Sequence, residues 1–353
     1  MKSPALTRAL LTWYDQNLRA LPWRKTRDPY RVWISEIMLQ QTRVAVVVER
    51  YKQFLLRFPT VQKLAAARED SVLAQWSGLG YYRRARNLHA AAKVIAREKA
   101  FPETAEALRA LPGIGRYTAA AIASIAFNEP IAVVDGNVER VLSRVLGTPL
   151  SEINKRDVIP SREAARNPSA SSGQALMSAG SAHTAATQKR TQPDLWAEAQ
   201  SLLDPVRPGD FNQAMMELGA TVCLPRQPRC QVCPIKKICR TRGTGQSTTV
   251  RLRRQKKEIT YSLTRRAGSI LLTRRSKDET LMPGMWELLE VTAPNASGEK
   301  LFSIRHSITV TNFTVHVVAR ARTQGKWIKL SRLPTLPLTG LAKKILRTAK
   351  IIE

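Results

Sequence analysis

Apolar and polar positions in the first half of the chain follow a helical period. Leucines and aromatic residues recur at intervals of three and four over residues 4–21, which predicts an amphipathic helix that ends before Leu21. The same period predicts further helices over 44–58, 61–67, 69–76 and 88–95. No alternating strand pattern interrupts these segments. The pattern therefore predicts an all-α domain.

The period changes near the C-terminal end. Apolar residues alternate with polar ones over 259–263, 269–273, 307–310 and 313–318, which predicts strands. A last helical segment follows at 341–346. The last third is therefore predicted to be a small α+β domain.

An acidic residue interrupts an apolar helical stripe near the start. Asp28 and Pro29 are the cap and first-turn residues of a predicted helix, and Glu36 lies among its apolar positions. Removal from water raises the pKa of a carboxyl group, which allows it to act as an acid near neutral pH. An ion pair between Glu36 and a neighbouring arginine is an equal alternative.

A second segment combines a glycine hairpin with a capping acid. Gly113 and Gly115 follow Pro112 and precede an alanine-rich helix that begins near Tyr117, so their N–H groups can receive a phosphate. Asp135 stands at the head of the next amphipathic run. As an N-cap it would accept bonds from free N–H groups, which favours its ionised form.

The charge of the chain limits its partners. The formal net charge is +30, from 57 Lys and Arg against 27 Asp and Glu, and such an excess favours a polyanion as partner. A membrane surface would also attract it, but no run of about 20 apolar residues and no signal-type start is present. We expect a cytoplasmic, nucleoid-associated protein that does not enter membranes.

Four cysteines lie close together, at Cys223, Cys230, Cys233 and Cys239. In a reducing compartment this grouping favours a metal site over disulfides. Four thiolates suit either a tetrahedral zinc ion or a [4Fe–4S] cluster, and the spacing alone does not separate the two.

Composition divides the chain further. Residues 161–192 are rich in Ala, Ser, Thr, Gly and Gln and lack an apolar period, which predicts a low-complexity insertion without a core. We predict an all-α domain over 1–240, a basic linker over 241–258 and a second domain over 259–353.

Several motifs together resemble the MutY family of adenine DNA glycosylases, within the helix-hairpin-helix/Gly-Pro-Asp iron–sulfur superfamily. They run in order along nearly the whole chain: 21–24 (LPWR), 35–42 (SEIMLQQT), 78–82 (GLGYY), 111–117 (LPGIGRY), 134–138 (VDGNV) and the four cysteines. The resemblance implies a helix-hairpin-helix element at about 108–127 and a structural [4Fe–4S] cluster in the 223–239 loop. It also implies excision of adenine mispaired with 8-oxoguanine or guanine in double-stranded DNA, by a monomer.

The resemblance assigns roles to individual residues. Glu36 is the acid, Asp135 offsets positive charge on the sugar, and Tyr117 and Asn137 support them. The adenine pocket is bordered by Trp23, Arg24 and Gln213. The residues that would contact the oxidised guanine or the adjacent DNA are Gln41, Thr42, Leu79, Tyr81 and Thr309. Gly113 and Gly115 would bind phosphate.

Related activities remain as alternatives. Endonuclease III carries a lysine where this chain has Tyr117, and a phenol cannot form its Schiff base, so we expect no strong strand cleavage. A thymine-mismatch glycosylase shares the tyrosine, but Glu36 and the C-terminal domain argue against it. A non-catalytic DNA-binding relative is a third possibility, against which Glu36, Asp135 and Tyr117 together argue.

The C-terminal segment resembles the Nudix-like (MutT-like) domain of the family, with a typical stretch at 282–287 (MPGMWE). The acidic box of Nudix hydrolases is missing, which predicts no nucleotide hydrolysis. The Phe-Ser-His loop of the family is also missing, and residues 306–310 read HSITV instead. Recognition of 8-oxoguanine is therefore the part of the resemblance that the sequence supports least.

Overall fold

The computed structural model describes residues 4–148, 194–243, 255–276, 278–279, 281–291, 298–308, 311–319 and 324–352. The predicted insertion 161–192 and residues 244–254 of the predicted linker lie outside this range.

The described residues up to Thr221 form helices and contain no strand, which confirms the all-α prediction for this part of the chain. The helices are α1 (Pro4–Asn17), α2 (Pro29–Leu39), α3 (Val44–Arg57), α4 (Val61–Ala65), α5 (Glu69–Trp76), α6 (Arg83–Glu98), α7 (Ala105–Arg109), α8 (Arg116–Ala126), α9 (Gly136–Leu146), α10 (Leu195–Leu202) and α11 (Pro208–Thr221).

Local capping explains where several of these helices begin. The side chain of Asp28 accepts a bond from the Arg31 N–H, and Pro29 occupies the first turn of α2, as predicted. Thr60 and Thr104 cap α4 and α7 in the same way.

Two helix boundaries differ from the sequence prediction. Helix α1 ends at Asn17, because Leu21 precedes Pro22 and is held extended, a conformation that proline imposes on the residue before it. Helix α6 begins at Arg83, five residues earlier than the apolar period indicated, so Arg83, Arg84 and Arg86 lie on a helix and not in a loop.

The C-terminal strands form two sheets. The strands are β1 (Gln255–Leu263), β2 (Arg265–Arg266), β3 (Ser269–Arg274), β4 (Trp286–Glu287), β5 (Leu289–Glu290), β6 (Glu299–Ile308), β7 (Thr311–Ala319) and β8 (Lys326–Lys329), followed by helix α12 (Gly340–Thr348). One sheet has the order β5-β1-β7-β6, with β1 and β7 parallel and the other pairs antiparallel. The second joins β2, β3 and β4, and β8 pairs with β3.

Apolar side chains from both sheets and from α12 share one core. Ile270, Val315 and Ile345 are fully buried in it. This arrangement confirms a small α+β region with a mixed sheet.

The chain divides into two compact units. Unit 1 combines residues 1–19 with 119–249, and unit 2 combines 20–118 with 250–353. In unit 1, α11 packs against α1 and α9. Its Glu217 side chain, which is 1% exposed, receives two bonds from Arg19, at 2.6 and 2.7 Å. The predicted boundaries at 240 and 259 stay a prediction.

In unit 2 the helices contact the C-terminal sheet region directly. The Leu338 carbonyl accepts bonds from Ser77 Oγ at 2.9 Å and from the Tyr82 hydroxyl at 3.3 Å. Arg274 pairs with Asp70 at 2.7 Å. Among the described residues, no helix has the length and apolar character that crossing a bilayer requires.

Candidate active site

Glu36 lies on α2 within unit 2, and its side chain is buried. The residue is 5% exposed and its neighbours on the helix from Val32 to Met38 are all buried. Tyr117 is the second residue of α8. Its hydroxyl donates a hydrogen bond of 2.8 Å to Glu36 Oε2. Tyr117 is itself 9% exposed. Because water has little access to either group, this bond fixes the position of the carboxyl group firmly.

The predicted pocket residues of unit 2 precede α2. Trp23 and Arg24 form part of a 3-10 helix over Pro22–Lys25. Trp23 is buried, and its ring meets the edge of Tyr51 with centroids 5.5 Å apart. Arg24 is half-buried. The tryptophan is thus held by packing, which gives this segment a fixed shape.

Four predicted DNA-contacting residues of unit 2 lie on two adjoining loops. Gln41 and Tyr81 are exposed, and both have left-handed backbones, with φ of 55° and 47°. Such values are uncommon for residues other than glycine and often mark functional loops. Thr42 Oγ1 lies 3.4 Å from the Leu79 carbonyl and joins the loops. The side chain of Leu79 is only 5% exposed, so contact with DNA would require it to leave its packed position. Thr309 lies outside the described residues.

The glycine hairpin of unit 2 has the geometry of a close turn before a helix. Gly113 has φ of 76°, and a Cβ there would lie 2.5 Å from the Asn87 Cβ, so the position requires glycine. Gly115 immediately precedes α8 and is exposed. A Cβ there would meet nothing within 4 Å. Helix α8 therefore begins directly after an exposed loop, and the N-terminus of a helix is suited to an anion.

Asp135 caps helix α9 in unit 1. Its Oδ1 accepts bonds from the N–H groups of Asn137 at 2.9 Å and Val138 at 2.8 Å, and Oδ2 accepts one from Asn137 Nδ2 at 3.1 Å. The predicted cap is present. We expected these bonds to favour the ionised form of Asp135, and they do lower its pKa. Burial has the larger effect, so the pKa of Asp135 is raised overall.

Helix α9 is tied to the cysteine loop of unit 1 by two arginines. Arg140 donates to Asn137 Oδ1 and to the Gly219 carbonyl, both at 2.8 Å, and to the Cys223 carbonyl at 2.9 Å. Arg144 approaches Cys223 Sγ at 3.2 Å. A Cβ at Gly219 would lie 2.6 Å from the Asn137 Cβ, so α11 approaches Asn137 as closely as its backbone allows.

The four cysteines surround one pocket in unit 1. Cys223, Cys230, Cys233 and Cys239 line it together with Val141 and Ile235. Within the described ranges, no three side chains of the usual metal-binding types converge on a point where one ion could sit. A tetrahedral zinc ion needs sulfur atoms about 3.8 Å apart, because each Zn–S bond is about 2.3 Å long. The four thiols therefore line one pocket, and among the described residues they do not form the compact group that a single ion requires.

One buried polar residue was missed by the sequence analysis. Asn212 on α11 is 1% exposed; it donates to Ser124 Oγ and to the Ile131 carbonyl, both at 2.9 Å, and accepts from the Val133 N–H at 3.1 Å. It thus fixes the strand-like segment that leads to Asp135. The signal in the sequence was a polar residue at an apolar position beside Phe211. The predicted pocket residue Gln213 follows it and is half-buried.

Comparisons with known proteins relate the chain to DNA repair proteins. Residues 34–157 match the family model described as HhH-GPD superfamily base excision DNA repair protein. The adenine DNA glycosylase of Rattus norvegicus is 45% identical over 247 residues, which are 67% of this chain and 41% of that protein. The adenine DNA glycosylase of Homo sapiens is 45% identical over 245 residues, or 66% of this chain and 39% of that protein. The chain thus spans about two fifths of the length of these two relatives.

A solved structure of a thermostable thymine-DNA glycosylase shares the fold, with a TM-score of 0.53 and 26% sequence identity. The match covers 68% of this chain and 96% of that one. The similarity therefore extends over about two thirds of this chain and almost all of that protein.

Proposed function

The chain belongs to the HhH-GPD superfamily of base excision DNA repair proteins, and from this premise we propose that it is an adenine DNA glycosylase. The proposed reaction is hydrolysis of the N-glycosidic bond of adenine mispaired with 8-oxoguanine or guanine in double-stranded DNA, without strong strand cleavage. The observation that carries the proposal is the buried hydrogen bond from Tyr117 to Glu36. The 45% identity to two adenine DNA glycosylases supports the choice of base.

Glu36 is the proposed general acid. Adenine is a poor leaving group as an anion, and a proton on its N7 makes it leave as a neutral base. A carboxyl group that is buried and accepts a bond from a hydroxyl is suited to give that proton and then to activate water. The substrate adenine would have to leave the base stack to reach it. Tyr117 supports the role because its hydroxyl fixes one carboxylate oxygen.

Asp135 is the proposed partner on the sugar. Loss of the base leaves positive charge on the deoxyribose ring, and an ionised carboxylate can offset that charge or bond transiently to the anomeric carbon. Three N–H donors hold the carboxylate of Asp135. Asn137 supplies two of these donors and so acts as its support.

The remaining contacts are proposed from the resemblance to the adenine DNA glycosylases. Trp23, Arg24 and Gln213 would border the adenine. The exposed Gln41 and Tyr81, with Thr42, Leu79 and Thr309, would lie at the oxidised guanine and its neighbours. The N–H groups of the hairpin at Gly113 and Gly115, ahead of α8, would receive a phosphate. A net charge of +30 supports DNA as the partner.

The proposed cofactor is a structural [4Fe–4S] cluster held by Cys223, Cys230, Cys233 and Cys239. Four thiols around one pocket fit the thiolate set of such a cluster. The similarity of the cysteine motif to that of iron–sulfur DNA glycosylases favours a cluster over a single zinc ion. Such a group, with all four ligands from protein, would order the loop that Arg140 and Arg144 join to α9.

The C-terminal region is proposed to be a Nudix-like domain over 259–353 that assists recognition of 8-oxoguanine, preceded by a linker over 241–258 and a glycosylase domain over 1–240. The mixed sheet of β5, β1, β7 and β6 with α12 supports this assignment. We expect the protein to act as a monomer in the cytoplasm, at the nucleoid.

Base release from defined duplexes tests the proposal. The purified chain is incubated in excess with duplexes that contain A opposite 8-oxoguanine, A opposite guanine, A opposite cytosine or T opposite guanine, and abasic sites are then cut with alkali. We expect scission in the first two duplexes, and E36Q and D135N should abolish it while still binding DNA. Scission in the T·G duplex alone would support a thymine glycosylase, and scission in none would leave a DNA-binding protein.

A further inference from the structure

Arg84 points into unit 2 and binds backbone carbonyl groups. Its guanidinium approaches six acceptors from two segments of the chain. Nη1 donates to the carbonyls of Ile37 at 2.7 Å, Met38 at 3.2 Å and Gln40 at 2.5 Å, and Nη2 donates to Thr42 Oγ1 at 3.2 Å and to the carbonyls of Leu79 at 3.0 Å and Gly80 at 3.2 Å.

The first three carbonyls belong to the C-terminal end of α2. The last carbonyls of a helix have no partner within it, and the helix dipole makes that end negative. A guanidinium carries five donors in a rigid fork and can serve several such carbonyls at once, whereas an ammonium group cannot span them. Arg84 therefore completes the end of the helix that carries Glu36.

The same guanidinium holds the loop of Tyr81. Besides the Leu79 and Gly80 carbonyls, it lies 5.6 Å from the centre of the Tyr81 ring and 5.3 Å from that of Trp76, within the range of cation–π attraction. Tyr81 is 51% exposed at the tip of this loop. One side chain thus connects the end of α2 to an exposed aromatic tip.

Partial removal of the Arg84 guanidinium from water costs free energy, and its hydrogen bonds and ring contacts offset part of that cost. Burial lowers the pKa of Arg84 to about 10. Within the described residues, no carboxylate pairs with the Arg84 guanidinium. A half-buried cation without an acidic partner is uncommon, and here carbonyl dipoles and two aromatic rings take the place of the acid.

We propose that Arg84 is a positioning residue that locks the Tyr81 loop to the end of α2, so that insertion of Tyr81 into the DNA and placement of Glu36 occur as one event. This inference rests on the proposed function. The inference assigns to Arg84 a role in extruding the adenine from the base stack, a step that comes before proton transfer from Glu36.

Fluorescence of 2-aminopurine separates extrusion from chemistry. This adenine analogue is placed opposite 8-oxoguanine, and its emission rises when it leaves the stack. At saturating enzyme we expect R84K to lower the extruded fraction, with the extrusion equilibrium shifted about tenfold. R84K should also slow adenine release. The control is R97K, the same exchange at an exposed arginine of α6, and we expect it to match the unaltered chain.

A more severe variant and two reference variants complete the test. R84M removes every donor and should shift extrusion further than R84K; if R84M does not fold, R84K decides. E36Q should extrude the analogue normally, and Y81A should reproduce the R84K defect. Normal extrusion by folded R84K overturns the inference. If the unaltered chain extrudes the analogue but releases no adenine, the proposed function fails instead.

Discussion

Asn212 and Gln200 each bind one backbone carbonyl and one backbone N–H, and comparing them tests how burial changes the free energy that such contacts contribute. Both amides hold the segment that leads to Asp135. Asn212 serves the Ile131 carbonyl and the Val133 N–H. Gln200 serves the Pro130 carbonyl at 2.8 Å and the Ala132 N–H at 2.9 Å. Asn212 is 1% exposed, whereas Gln200 is exposed.

The expected costs follow from this difference. In N212L the Val133 N–H stays buried without its acceptor, which costs about 1–3 kcal/mol. The half-buried Ile131 carbonyl adds about 1 kcal/mol, whereas the Ser124 hydroxyl keeps its bond to Ala121. The sum is a loss of about 2–4 kcal/mol in the free energy of unfolding. In Q200L the exposed Pro130 carbonyl returns to water, and only the N–H of Ala132, which is 1% exposed, loses its partner, so we expect a smaller loss of about 1–2 kcal/mol.

Urea unfolding of both variants measures the two costs in the same unit of the chain. Hydrogen exchange of the peptide around Val133 locates the effect, and its amide should lose protection in N212L only. Single-turnover adenine release should also fall in N212L, because the segment that carries Asp135 is less fixed. Equal costs for the two variants, or a loss below about 1 kcal/mol in N212L, would refute the reasoning from burial.

Two further predictions concern the candidate acids. Y117F removes the 2.8 Å bond to Glu36 and should slow single-turnover adenine release about tenfold with DNA affinity unchanged; an unchanged rate would separate this hydroxyl from catalysis. Burial raises the pKa of Asp135, so its charge is lost as the pH falls through that raised value, and the rate should fall on the acid side above pH 3.8, the ordinary value. N137A removes the Nδ2 donor that opposes this rise, and the acid limb of the rate profile should therefore move to higher pH; a limb that stays or moves down would contradict the role of that bond.

Local sequence signals predicted the parts of the fold that depend on neighbouring residues. Asp28 and Asp135 are caps because short polar side chains before an amphipathic run have N–H groups within reach. The hairpin at Gly113 was also predicted from neighbouring residues, because a glycine after a proline indicates a tight turn. Each of these features can be recognised within about four residues of sequence.

Features that depend on distant residues were missed. Arg84 looks like a surface arginine in sequence, and only the approach of α2 provides the carbonyls that draw it inward. The parallel pairing of β1 with β7 joins Gln255 to Thr311 across the intervening strands, which no local pattern indicates. The predicted direction of the pKa shift at Asp135 was wrong for the same reason. The cap depends on neighbouring residues, whereas burial depends on residues that are distant in sequence.

The two candidate carboxyl groups differ in their donors, and this difference supports different roles. A described donor to Glu36 is a hydroxyl that can also accept a bond, so that contact can survive whether the carboxyl group is charged or neutral. Asp135 is held by two backbone N–H groups and an amide N–H, which can only donate. Such donors favour the anion even where burial opposes it. A proton can therefore pass through Glu36 without breaking its support, whereas the contacts of Asp135 suit a group that keeps its charge throughout the reaction.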